Sequence, residues 1–208
     1  MQQLRPEQLE EAVALLKDGG VLIFPTETSY GIGCDATNTQ AVERVFAIKN
    51  RPFTKGTPLI LPSATSAGTY VVVTPQMQQL MDRHWPGPLN IVGDVAPNSP
   101  VVGLCSEQGT QTVRVSSHSI ASALARGLGK PLVATSANLD GQPPMFYPFP
   151  YSGKDAEVLP ADAIIDIGEI PREPASTIVR VTGEGEVDIL RQGSITLGER
   201  RNPLDNIF

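Results

Sequence analysis

Between Pro6 and Asp18 the apolar residues Leu9, Ala12, Val13 and Leu16 return at helical spacing. Pro6 suits a helix start and Gly19-Gly20 a stop, so the pattern predicts a first amphipathic helix. Val21-Leu22-Ile23-Phe24 is an unbroken apolar run of strand length, which predicts a buried strand ended by Pro25. Helical spacing resumes over Thr39–Asn50, where Val42, Val45, Phe46 and Lys49 share one side, Thr39 is placed to cap the start and Arg51-Pro52 to close the end. Pro58–Leu61 reads as a strand, Pro75–His84 as a helix and Leu89–Val95 as a strand, with Trp85-Pro86-Gly87-Pro88 as a stiff turn. A strand over Thr112–Val115, a helix over Ser117–Leu128 stopped by Gly129 and a strand over Leu132–Ala134 follow. Ala163–Ile167, Thr177–Val181 and Val187–Leu190 complete the set, the last two joined by a hairpin at Gly183–Gly185.

Short strands alternating with helices of about ten to fifteen residues predict an α/β fold, a mixed sheet partly covered by helices. The segment Gln142–Gly153 contains Pro143, Pro144, Pro148 and Pro150, so it is expected to be a loop lying over the sheet. No internal repeat or boundary divides the chain. The expectation is one domain over residues 1–208, with a poorly ordered tail after about residue 195.

Composition narrows the function classes. With 40% hydrophobic residues in 208, the chain is long enough for one sizeable core, and 19 glycines and 19 prolines point to many turns. A formal net charge of −6 argues against a surface that attracts nucleic acid as a whole, so any anion site must be local. Cys34 and Cys105 are too few and too isolated for a disulfide framework or a zinc cage. The first residues lead into the charged, amphipathic Arg5–Asp18 without an apolar signal core, and no stretch is long enough to span a membrane, which predicts a cytoplasmic protein.

Three stretches carry candidate chemistry. Pro25-Thr26-Glu27-Thr28-Ser29-Tyr30-Gly31-Ile32-Gly33 follows a buried strand and is rich in hydroxyls. These suit a small polar ligand, or equally a turn whose Ser and Thr serve local hydrogen bonds. Lys49, Arg51 and Lys55 gather at a helix end, either to satisfy the helix dipole or to read phosphates, for which the forked guanidinium and compact ammonium are suited. Leu132–Asn138 runs from a strand into Ser136 and Asn138, which would bond a phosphate or ribose or simply end the strand. Arg114 on a predicted strand and Arg191 at a strand end add two more guanidinium groups, each otherwise a snorkelling surface side chain.

Several templates are missing: the P-loop, the Gly-x-Gly-x-x-Gly turn, His-Glu-x-x-His, paired cysteines and the Gly-x-Ser-x-Gly elbow. Polar loops without a nucleophile imply catalysis by positioning and charge stabilisation.

Taken in order, Pro-Thr-Glu-Thr-x-Tyr-Gly-x-Gly, Lys-x-Arg-Pro, Trp-Pro-Gly-Pro, Val-Arg-Val, Ser-Ala-Asn-Leu-x-Gly, Ser-Thr-Ile and Leu-Arg-x-Gly resemble the YrdC family of threonylcarbamoyl-AMP synthases, from roughly Leu9 to Gly193. The resemblance implies a YrdC-like twisted α/β fold with a concave, basic cavity. There Thr28 would hold L-threonine, Ala134 and Ser176 would enclose it, and Arg114 would grip its carboxylate or the carbamate formed from it. Arg51, Lys55, Thr110, Ser136, Pro144 and Arg191 would surround ATP, and Lys49, Arg51, Ser136 and Asn138 would form the catalytic tetrad. The implied reaction joins threonine, bicarbonate and ATP with release of pyrophosphate. Mg2+ would be carried by the ATP phosphates rather than by protein ligands, and a partner transferase complex would pass the product to tRNA adenosine.

Four features depart from the family pattern: extra residues at Lys55–Leu59, Pro62 in place of a histidine, no further carboxy-terminal domain, and the aromatic, proline-rich Gln142–Gly153, a candidate lid. The competing expectation is an RNA-binding or ribosome-associated protein of the same fold that contacts RNA or tRNA directly and adenylates nothing.

Overall fold

The computed structural model describes residues 1–101, 108–147 and 159–197. The mixed α/β architecture is present, with the strands divided between two sheets. The first contains β1 (Gln2–Leu4), β2 (Leu22–Pro25), β3 (Tyr30–Gly33), β8 (Thr135–Ser136) and β9 (Ala163–Ile165), in the order β1-β9-β2-β3-β8. The second contains β4 (Leu59–Ile60), β5 (Leu89–Asp94), β6 (Thr110–Arg114), β7 (Leu132–Val133), β10 (Thr177–Val181) and β11 (Val187–Arg191), in the order β11-β10-β5-β6-β4-β7. Helices α1 (Leu9–Lys17), α2 (Thr39–Lys49), α3 (Pro75–His84) and α4 (Ser119–Leu128) cover them.

Strand alternation sorts the core into two clusters. Ile23 and Ile32 face a large cluster with Val42, Phe46, Leu59, Ile91, Val113 and Val179. Leu22 and Phe24 face a smaller one with Leu16 of α1, Leu124 of α4 and Ile60. The sheets meet where the chain passes from β7 to β8 through Ala134, whose N–H donates to the Pro58 carbonyl at 3.0 Å. Gly33 makes that junction possible: a Cβ there would lie 1.6 Å from the Val133 carbonyl oxygen.

Several elements differ from the sequence-based expectation. Tyr30–Gly33, read as part of a hydroxyl-rich loop, is strand β3, paired antiparallel to β2. The cap of α2 is Asn38, whose side chain accepts from the Ala41 N–H, because Asn38 is the last residue with extended backbone. The helix is closed by Asn50 in the left-handed conformation, a geometry Asn tolerates, and not by Arg51-Pro52. β1 and the 3-10 helix Ala64–Thr69 were not anticipated; β1 buries only Leu4 and forms by pairing in parallel with β9. Residues 142–147 of the proline-rich segment contain no helix or strand, while residues 148–153, like Cys105, lie outside the described residues. No helix among the described residues is long and apolar enough to cross a membrane.

Candidate functional site

The first polar group forms around the end of α2. Lys49 lies on the helix face that also buries Val42, Val45 and Phe46, which carries its ammonium inward until the side chain is only 2% exposed. Nζ donates to the carbonyls of Ser136 at 2.5 Å and Asn138 at 2.6 Å and to Asn138 Oδ1 at 3.0 Å. All three ammonium protons are used, so Lys49 positions the Ser136–Asn138 segment. Burial lowers its pKa to about 8, with the Arg51 charge acting in the same direction and Asp140 against it. Ser136 Oγ donates to Asn138 Oδ1 at 2.5 Å, which ties the two side chains together.

Arg51 and Lys55 share one counter-ion. Arg51 Nη1 is 3.2 Å from Asp140 Oδ1 and Lys55 Nζ 2.5 Å from Oδ2, while Arg51 Nε and Nη2 reach the Gly56 carbonyl. The Lys55 hydrogen bond, helped by the charges of both cations, holds the Asp140 carboxyl below its ordinary range. The Lys55 side chain is 51% exposed, so this pair adds little stability.

The second group centres on Arg114, which β6 carries into the interior at 5% exposure. Its Nη1 donates to Glu27 Oε1 at 3.0 Å and to Ser176 Oγ at 3.1 Å, and Ser116 Oγ donates to Glu27 Oε2 at 2.6 Å. Arg191 grips the carbonyl of the same Ser176 through Nε at 3.0 Å and Nη2 at 2.8 Å. Burial and then the Arg114 charge lower the pKa of Arg191. Gly193 explains the end of the Leu-Arg-x-Gly motif: a Cβ there would lie 2.0 Å from the Ala175 carbonyl oxygen and 2.6 Å from Thr177 N.

The remaining expected residues fall around these groups. Thr28 lies in the β2–β3 turn beside Glu27. The hub of that turn is Thr26, whose Oγ1 donates to the Ser29 carbonyl at 2.7 Å and accepts from the N–H groups of Thr28 and Ser29, so its hydroxyl serves the turn itself. Ala134 is buried at the sheet junction. Pro144 is exposed in the segment after Gln142, whose carbonyl accepts from Asn138 Nδ2. Thr110 is buried opposite Asp94 at the far end of β6, about 13 Å along the strand from Arg114.

The fold thus gathers Lys49, Arg51, Lys55, Ser136 and Asn138 into one bonded set and Arg114, Ser176 and Arg191 into another. Both tie into the junction, through the Gly31–Ser136 pair on one side and the Ile60–Arg114 and Ile60–Leu132 pairs on the other. Glu27 and Asp140, which neutralise the cations, were missed from sequence. For Arg114 the need for an acidic partner was legible, since an arginine on a buried strand requires one, but which acid meets it was not.

A two-sheet α/β chain gathers cations pinned by backbone carbonyls and two acids, with Ser and Asn beside them, an arrangement whose chemistry suits anionic groups. The chain belongs to the Sua5/YciO/YrdC family, whose model, described as telomere recombination, matches residues 14–193. Among solved structures it is similar to Pyrococcus abyssi Sua5 in complex with L-threonine, at 28% identity and a TM-score of 0.78 over 92% of this chain and 56% of that one. A doubly substituted P. abyssi Sua5 matches with 27% identity and a TM-score of 0.81, over 92% and 59% of the two chains. E. coli YciO matches with 26% identity and a TM-score of 0.75, over 92% and 93%. The chain therefore spans less than two thirds of the Sua5 proteins and nearly all of YciO.

Proposed function

We propose that this protein condenses L-threonine, bicarbonate and Mg·ATP into threonylcarbamoyl-AMP, releasing pyrophosphate and water, and supplies the activated group to a partner transferase that modifies tRNA adenosine. The observation that carries the reading is the anchoring of Arg114 and Arg191 on one residue, Ser176, in a chain similar to a Sua5 that binds L-threonine. In this reading the threonine carboxylate lies on Arg114, with Thr28, Ala134 and Ser176 around it. Arg51, Lys55, Thr110, Ser136, Pro144 and Arg191 surround the nucleotide.

The amine adds to the carbon of bicarbonate-derived CO2 and loses a proton, giving an N-carboxylate. One oxygen of that carboxylate attacks the α-phosphorus, and the bond to pyrophosphate breaks. Lys49 and Asn138 act as positioning groups that fix Ser136 against the phosphates. Mg2+ arrives with the triphosphate and shields its charge. Among the described residues no three His, Cys, Asp or Glu side chains gather as a metal-binding set.

The test is incubation of the full chain with ATP, Mg2+, bicarbonate and labelled threonine, followed by assay of pyrophosphate and of a threonine-dependent adenylate. Omitting threonine should abolish pyrophosphate release, and Arg51→Ala and Ser136→Ala should depress turnover in folded protein. Unchanged turnover in both variants refutes the site. Absence of the adenylate together with a tight, steeply salt-dependent RNA complex replaces synthesis with RNA binding.

A further inference from the structure

Asn90 belongs to neither bonded group. Its strand neighbours Leu89 and Ile91 face the larger core, yet Asn90 is only 5% exposed and its buried Oδ1 has no hydrogen-bond partner among the described residues. Such an acceptor destabilises the chain that holds it, and valine or isoleucine would suit a buried strand position better.

Strand register shows what lies beside it. Ile178 pairs with Asn90 on one side and with Arg191 on the other. Ile91 pairs with Val113, so the next antiparallel step sets Arg114 opposite Asn90. Ile178, Asn90 and Arg114 therefore share one face across three adjacent strands, and a register shift between Ile178 and Val179 brings Arg191 opposite Ile178 at the edge of that row. Ser176, two residues before Ile178, shares that face. Arginine side chains only donate hydrogen bonds, so a ligand that pairs an anionic end with an N–H or O–H needs an acceptor near them. A carboxamide supplies one without cancelling the positive field, as a carboxylate would. Strands stand about 4.8 Å apart, so the amide is within one amino acid's reach of Arg114.

We propose that Asn90 is a specificity-determining residue of the amino-acid subsite, its Oδ1 accepting a hydrogen bond from the amine or hydroxyl of the amino acid whose carboxylate Arg114 holds. Among the described residues Oδ1 has no partner to release when the ligand arrives. The inference rests on threonine being the amino acid bound.

Calorimetry on the full chain tests it with wild type, Asn90→Leu and Asn90→Thr, titrated with L-threonine, L-2-aminobutyrate and ATP. Asn90→Leu should unfold at the same or a higher temperature than wild type, bind threonine about tenfold more weakly and bind ATP unchanged. A loss shared by 2-aminobutyrate assigns the amine as donor, and a loss confined to threonine assigns the hydroxyl. Threonine affinity within twofold of wild type overturns the inference, as does a lowered unfolding temperature with unchanged binding. Should Asn90→Leu fail to fold, Asn90→Thr, which keeps one hydroxyl on a strand-favouring residue, should show a smaller loss, and undiminished affinity in it counts against the proposal. If wild type itself binds no threonine, the proposed reaction falls and this inference with it.

Discussion

Replacing Lys49 by methionine separates positioning from stability. Methionine keeps most of the length and volume of the side chain and removes the ammonium. Its loss strips fewer partners than the three bonds suggest. Asn138 Oδ1 still accepts from Ser136 Oγ, and the Ser136 carbonyl still accepts from the Asn138 N–H at 3.0 Å, which leaves only the Asn138 carbonyl orphaned. One part-buried carbonyl without a partner costs at most about 1–3 kcal/mol. Against this stands the cost of burying the charge. A pKa lowered from 10.5 to about 8 corresponds to about 3 kcal/mol against the protonated form in the folded chain, and that penalty disappears with the ammonium.

The two effects nearly cancel, so urea unfolding of Lys49→Met should give a stability within about 2 kcal/mol of wild type. That is less than the roughly 3–5 kcal/mol expected when one member of a buried ion pair is lost. Turnover should behave otherwise: a shift of about 1 Å in Ser136 and Asn138 lowers pyrophosphate release about a hundredfold. A stability loss above about 4 kcal/mol, or turnover within threefold of wild type, refutes the view that Lys49 works by holding that segment in place.

The remaining predictions concern pH, backbone fit and the buried pair. As pH rises through about 8, Lys49 loses its proton in the folded chain while the unfolded chain keeps it up to about 10.5. Between those values the unfolded state binds more protons, so this group's contribution to stability rises with pH even as turnover falls. A pH–rate profile beside urea midpoints checks both signs, and Lys49→Met should lack this component. Gly193→Ala should push the Ala175–Thr177 backbone away and shift Ser176, destabilising by about 1–3 kcal/mol and raising the KM for threonine; unaltered unfolding and kinetics would contradict so close an approach of the two backbones. Arg114→Met should cost about 3–5 kcal/mol by leaving Glu27 short of its counter-charge, and Glu27→Gln in the same chain should recover part of that loss. Additive effects in this double-mutant cycle would show that the two side chains are not coupled.

Local punctuation made much of the fold legible. The bounds of α3 match because Pro75 opens the helix after Thr74, whose hydroxyl caps it, and Trp85-Pro86 prevents its continuation. Those of β10 match because Thr177–Val181 is a run of strand-forming residues with alternating burial. Elements that depend on distant pairing were less visible. Leu132–Ala134 reads as a strand that runs out into polar residues; the structure instead splits Leu132–Ser136 between two sheets, because β4 pairs with Leu132–Val133 while β3 takes Thr135–Ser136. Tyr30–Gly33 resembles a loop in composition and becomes a strand by lying between β2 and β8. The cations of the candidate site were visible as misfits to their surroundings, whereas Glu27, Asp140 and Asn90 look like ordinary turn or strand residues until the register brings them to their neighbours.

The same pairing rule bears on how the proposed anion site would persist in a chain of net charge −6. Lys49 spends its protons on Ser136 and Asn138, Arg51 and Lys55 bond Asp140, Arg114 bonds Glu27, and Arg191 bonds the Ser176 carbonyl. An anionic ligand must therefore bring more than charge, because each internal acceptor it displaces is lost as its own bonds are made. Affinity becomes the difference between two nearly matched sets of hydrogen bonds, and small anions lacking further contacts gain little from the exchange. A ligand that also carries a donor would be in a different position, because the Asn90 acceptor has no protein partner to give up and the exchange costs only the donor's bond to water. In such a site discrimination among anions comes from their uncharged groups.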